Sequence, residues 1–157
     1  MDYIVLRGAT AKRLREEARK HNLSLEEYLL ELLTQDMNPE DKAREYIKAS
    51  EDLLVEASEE LEKDNIRQAA EKVWEAVALT VKAYALLKDS KRISSHGELW
   101  EYKRRLETEL GKWAGDAWAR AVEMHVCFYE GWCNKEDVEK AVEAVSKLVN
   151  KVKQIIL

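Results

Sequence analysis

Apolar and small residues recur with a helical rhythm along most of the chain. From Pro39 onward, Ala43, Tyr46/Ile47, Ser50, Leu53/Leu54, Ala57 and Leu61 fall three to four residues apart, which predicts one buried face of a long helix. Asn38 as N-cap and Pro39 at the first helical position set its start. A second helix opens at Asp64 or Asn65 and runs to about Lys88, with Ile66, Ala69/Ala70, Val73/Trp74, Val77, Val81, Tyr84 and Ala85 inward. Between Ala76 and Leu87 it is apolar on more than one side, which predicts a central place in a bundle. A third helix, from about Glu98 to Leu110, turns Leu99, Tyr102/Lys103, Leu106 and Leu110 inward before Gly111 stops it. The fourth spans about Lys112 to Glu130 and ends at Gly131-Trp132. Asn134 caps the fifth, Asp137 sits at its N3 position, and Val138, Ala141/Val142, Val145, Leu148/Val149, Val152 and Ile155/Ile156 form its stripe.

Asp36-Met37-Asn38-Pro39 separates this body, residues 36–157, from an appendage at residues 1–35. There Tyr3 to Arg7 reads as a short strand stopped by Gly8. Thr10 is expected to cap a helix through about His21, with Leu14 and Ala18 on its inner face and Asn22 ending it in the αL conformation. Ser24-Leu25-Glu26-Glu27 is a capping box for a second helix to about Thr34, expected to bury Leu25, Tyr28, Leu29, Leu32 and Leu33. One strand and two short helices cannot close a core alone. The pattern resembles the ribbon-helix-helix unit, whose paired strands send alternate side chains into the DNA major groove. Here the alternating sets, Tyr3, Val5, Arg7 and Ile4, Leu6, are poor in base-reading groups, and six basic residues in the appendage balance six acidic ones. Dimerisation or docking onto the helical body is therefore expected rather than DNA contact, and the run Lys12 to Lys20 reads as a solvated helix face.

Composition fits this picture. Apolar residues make up 46%, charged residues 36%, and the chain holds only five Gly and one Pro, so an all-α fold is expected. Its organisation is predicted as a five-helix body with a small N-terminal strand-helix-helix unit. The net charge, 26 − 31 = −5, argues against non-specific coating of nucleic acid. No apolar run reaches membrane length, so no membrane partner is expected. Cys127 and Cys133 have a spacing that fits no common zinc pattern, and no signal peptide is read, so they are expected to be reduced structural thiols of a cytoplasmic protein. Lys and Glu lead the charged residues, a balance compatible with a thermophilic source. Three scattered His, no phosphate-cradling glycine loop and no Ser-His-Asp set leave no metal or cofactor predicted.

Candidate chemistry gathers between Trp113 and Trp132. With Trp100 just upstream, this stretch holds four of the five Trp and the only Phe, together with Arg120, His125 and Tyr129. Arg120 and His125 stand about 140° apart on a straight helix, so one chain does not bring them together. Arg120 can pair with Asp116 one turn earlier or hold a phosphate; His125 can be a satisfied, half-buried histidine or a proton carrier near neutral pH. Tyr129 and the Trp residues offer stacking surfaces for bases. Lys82 interrupts an apolar run, either with its stem along the core and its ammonium in water or as a partner for an anionic ligand. Glu71 and Lys72, and the loop residues Lys91, Arg92 and His96 in Asp89 to Gly97, are secondary candidates. Lys72 can instead pair along its own helix, and His96 can instead mark a helix start.

The order of these features resembles the HEPN superfamily of helical bundles and, within it, the archaeal PaREP family. The resemblance covers roughly residues 39–155 and is carried by QAAEKVWEAVALTVKAYA, SHGELW, MHVCFYEGW and EDVEKAVEAV, with Arg120 and His125 as the Arg-x4-His motif; the upstream SLEEYLLELL is similar too. The resemblance implies an up-and-down helical bundle like the C-terminal domain of kanamycin nucleotidyltransferase and a homodimer that brings two such motifs to one cleft. It further implies nucleotide or RNA binding there, and in ribonuclease members metal-independent cleavage, with His125 as general acid or base and Arg120 stabilising phosphoryl charge. Such nucleases carry a polar residue directly after the Arg, where this chain has Ala121. Nucleotide or RNA binding is accordingly placed ahead of cleavage. The alternatives are a non-catalytic assembly or antitoxin-like module, and an unrelated bundle in which the motif is accidental.

Overall fold

The computed structural model describes residues 3–156 as seven helices in two units, residues 1–37 and 38–157. The smaller unit holds α1 (Gly8–Lys20) and α2 (Leu25–Leu33). Asn22 adopts the αL conformation, and the Ser24 side chain accepts a hydrogen bond from the Glu27 amide at 3.1 Å, both as the sequence predicts. His21 stacks on Tyr28 with ring centroids 5.3 Å apart.

Two expectations for this unit fail. No strand forms among the described residues; Tyr3 to Arg7 is irregular, and α1 starts at Gly8 rather than at a Thr10 cap. A strand is stabilised by its ladder and its cross-strand neighbours, and within one chain these five residues meet no second strand. Of the five residues expected inside, Leu25, Tyr28 and Leu29 are only half-buried and Leu32 and Leu33 are exposed, as are Tyr3, Ile4 and Val5; Ala18 is the one buried apolar residue among the unit's described residues.

In the larger unit, Asn38 caps α3 (Pro39–Glu62) by accepting from the Asp41 amide at 2.9 Å, with Pro39 at the first helical position. Asp64, in the αL conformation, reverses the chain into α4 (Ile66–Asp89), which lies antiparallel to α3. Ser95 caps α5 (His96–Leu110), Gly111 ends it, and α6 (Lys112–Glu130) follows at once. Asn134 and Asp137 exchange amide-to-side-chain hydrogen bonds of 3.0 and 2.9 Å at the start of α7 (Lys135–Ile156).

Helix α4 packs against α3, α5, α6 and α7, as its two-sided apolar surface predicts. Ala69, Ala70, Ala76, Ala83 and Ala85 on α4 and Ala43 and Ala57 on α3 are wholly buried, so backbones approach closely. At this crossing Ser50 donates to the Ala76 carbonyl at 3.0 Å, and the Thr80 hydroxyl lies 3.2 Å from Ser50 Oγ while donating to Ala76. These buried hydroxyls thereby avoid the cost of unmet polar groups. Val138, Val145, Leu148 and Val152 of α7 complete the core, as their periodicity predicts.

Candidate functional site

Arg67, Glu71 and Trp74 stand at i, i+4 and i+7 on α4 and so share one face. That face meets α6, where His125 and Tyr129 are one turn apart. The Glu71 Oε2 oxygen lies 2.9 Å from His125 Nδ1, and the two side chains are 19% and 31% exposed, open enough for a solute to reach. With the carboxylate ionised, Nδ1 must carry the hydrogen it donates, which leaves Nε2 as the imidazole's second, unspent nitrogen. Burial pushes the Glu71 carboxyl above its usual range; the hydrogen bond and positive charge of His125 pull the other way without prevailing.

Aromatic rings surround this pair. Trp74 lies 5.0 Å from the His125 ring and runs parallel to His96 at 6.4 Å. Tyr129 meets His125 edge to face at 5.2 Å and is largely exposed. Behind them Trp118 packs edge-on against both Trp74 and Trp100, at 5.4 and 5.3 Å. The Trp118 indole N–H and the Tyr84 hydroxyl are buried without a hydrogen-bond partner among the described residues.

The end of α6 closes the site. Gly131 takes the αL conformation that stops the helix and donates to the Cys127 carbonyl at 2.7 Å. The Arg67 guanidinium lies directly over Gly131, where a β-carbon would overlap it, and Arg67 Nη2 donates to the Tyr129 carbonyl at 3.5 Å. Past Gly131 the chain doubles back and Cys133 forms a disulfide with Cys127, their Cα atoms 5.7 Å apart. This corrects the expectation of two reduced thiols: the reversal at Gly131, not the spacing, makes the bond geometrically available.

Of the residues singled out in the sequence, Glu71, His96, His125 and Tyr129 come together around Trp74. Others lie elsewhere. Arg120 is exposed, about 140° around α6 from His125, and the ion pair with Asp116 that its spacing allows does not form. Lys72 reaches across to Glu56 of α3, 3.0 Å away. Lys82 is half-buried on α4, about 16 Å beyond Glu71 along the helix axis. His96 is the first residue of α5, the helix start that was its alternative to a loop position. Near it Lys91 pairs with Glu98 at 3.4 Å, while Arg92 is exposed. Arg67 was missed in the sequence, and Trp74 was read only as core; their i, i+4, i+7 spacing with Glu71 was the available signal.

Among the described residues no three or more His, Cys, Asp or Glu are grouped to hold a metal ion, and no helix is long and apolar enough to cross a membrane. Comparison with curated proteins and with solved structures finds no match. Residues 45–149, from α3 into α7, match the family described as the archaeal PaREP1/PaREP8 family, and the chain belongs to it.

Proposed function

We propose that this protein is a HEPN-like dimer that binds a nucleotide or RNA at the face shared by α4 and α6, with His125 as its proton-exchanging group. The observation that carries the reading is the Glu71–His125 pair: an imidazole fixed through Nδ1 at 2.9 Å, still part-exposed, and ringed by Trp74 and Tyr129. A fixed imidazole with one free nitrogen suits general acid or base chemistry on a ribose hydroxyl or leaving oxygen. Exposed aromatic faces suit stacked bases, which bind with little sequence preference. Binding stands ahead of metal-independent cleavage, because buried Ala121 follows Arg120 where nucleases of the resembled kind place a polar group.

The test is His125→Ala in the full chain. Binding of 5′-AMP and of a short oligoribonucleotide should fall while helical content and oligomeric state survive. Unchanged binding, or no binding by the unaltered protein, refutes the reading. A non-catalytic assembly module is favoured by one observation only, the exposed Tyr3, Ile4, Val5 and Leu33 of the N-terminal unit. On that reading, removal of residues 1–7 would abolish self-association and His125→Ala would change nothing.

A further inference from the structure

We propose that Arg67, not Arg120, supplies the phosphoryl contact beside His125, so that one chain carries a complete subsite for a phosphorylated nucleoside. The inference rests on the ligand-binding reading above and names the group within it that holds the phosphate.

Position is the first argument. Arg67 projects from the same face of α4 as Glu71 and Trp74, whereas Arg120 lies on a different side of α6 from His125. The contacts form a continuous path: Arg67 touches the Tyr129 carbonyl and Gly131, Tyr129 touches the His125 ring, and His125 is bonded to Glu71.

Placement is the second. The Arg67 guanidinium lies over Gly131, in space that a β-carbon there would share, and hydrogen-bonds the Tyr129 carbonyl. A planar fork of donors is thereby presented at the end of α6, a geometry suited to a phosphoryl group.

Unspent capacity is the third. Guanidinium carries five N–H donors, and Arg67 uses one of them, weakly, at 3.5 Å; it makes no ion pair among the described residues. Glu71 is the carboxylate beside the subsite and would oppose an anion. It is already engaged by His125 Nδ1, and burial favours its neutral form. With Glu71 neutral and donating to Nδ1, the imidazole hydrogen sits on Nε2, and a phosphate would accept from Nε2–H and from Arg67, with the base on the exposed Tyr129 ring.

The experiment is calorimetric titration of the full chain with 5′-AMP, inorganic phosphate and adenosine, repeated with Arg67→Ala, Arg120→Ala and His125→Ala. All three side chains are at least part-exposed, and circular dichroism of each variant checks that its helical content is kept. Arg67→Ala should weaken 5′-AMP by about tenfold, the worth of one charge-assisted phosphate contact, and adenosine hardly at all. Arg120→Ala should leave 5′-AMP within about twofold of the unaltered protein. If Arg120→Ala weakens 5′-AMP as much as Arg67→Ala does, or more, the assignment to Arg67 is overturned while the ligand-binding reading stands. If His125→Ala and Arg67→Ala both leave binding intact, or the unaltered protein binds neither 5′-AMP nor phosphate, both fall.

Discussion

Breaking the Cys127–Cys133 bond is the sharpest test of how the end of α6 is built. The two residues are six apart in sequence, so the bond closes a short loop. In the chain-entropy account, a loop of that size constrains the unfolded chain by about 2 kcal/mol, and reduction should remove that much stability. For a chain of 157 residues the unfolding entropy is roughly 0.33 kcal/mol/K, so Tm should drop by about 6 °C. Cys133→Ser is the matching variant, because Cys133 is half-buried while Cys127 is fully enclosed and would leave a defect of its own. Far-ultraviolet circular dichroism would follow melting with and without a phosphine reductant, and thiols would be counted in denaturant beforehand. The unreduced protein should show no free thiol and the reduced protein two. Reductant should lower Tm in the unaltered protein and do nothing further to Cys133→Ser. Two titratable thiols before reduction, or a melt indifferent to reductant, would refute the disulfide and the loop geometry drawn from it.

Three further outcomes follow from other parts of the molecule. Leu148 is wholly enclosed in α7, and Leu148→Ala should cost about 2–5 kcal/mol in urea unfolding, a loss under 1 kcal/mol being inconsistent with its burial. Glu71 binds its proton more tightly folded than unfolded, so its contribution is full below the ordinary value of 4.5 and is lost as pH rises through the raised folded value. Glu71→Gln should therefore flatten the fall in stability above pH 4.5, and urea midpoints as steeply pH-dependent as before would contradict this. Tyr102 donates to Asp89 at 2.7 Å, which holds its phenol at about 12. Asp89→Asn should bring one phenol's ultraviolet titration back toward 10, and an unchanged curve would remove that bond.

Much of the helical body was legible because its boundaries are local. Asn38-Pro39, Gly111, Gly131 and the Asn134/Asp137 pair each act within a few residues, and the apolar period of α7 needs no knowledge of its neighbours. What depends on remote chain was not legible. Glu71 and His125 are 54 residues apart, and only the packing of α4 on α6 makes them a pair. The spacing of Arg67 with Glu71 and Trp74 marks a shared face of α4, but that its guanidinium lies over Gly131, 64 residues on, is set by the packing of α4 on α6. The β-prone Tyr3 to Arg7 shows the converse: propensity was read correctly, but a strand needs a second strand. The Arg120–Asp116 pairing obeyed helix spacing yet did not form, in keeping with how little exposed pairs gain.

One helix, α4, touches every other helix of the larger unit and also presents Arg67, Glu71 and Trp74. Half of the residues grouped around His125 thus belong to the segment that should open last in hydrogen exchange. On the proposed reading α4 would be a fixed wall of the site, and adjustment to different ligands would fall to the turn after α6, where Tyr129 and Trp132 face solvent. Substitutions at residues 129–133 would then shift ligand preference at less cost to the fold than those at positions 67–74.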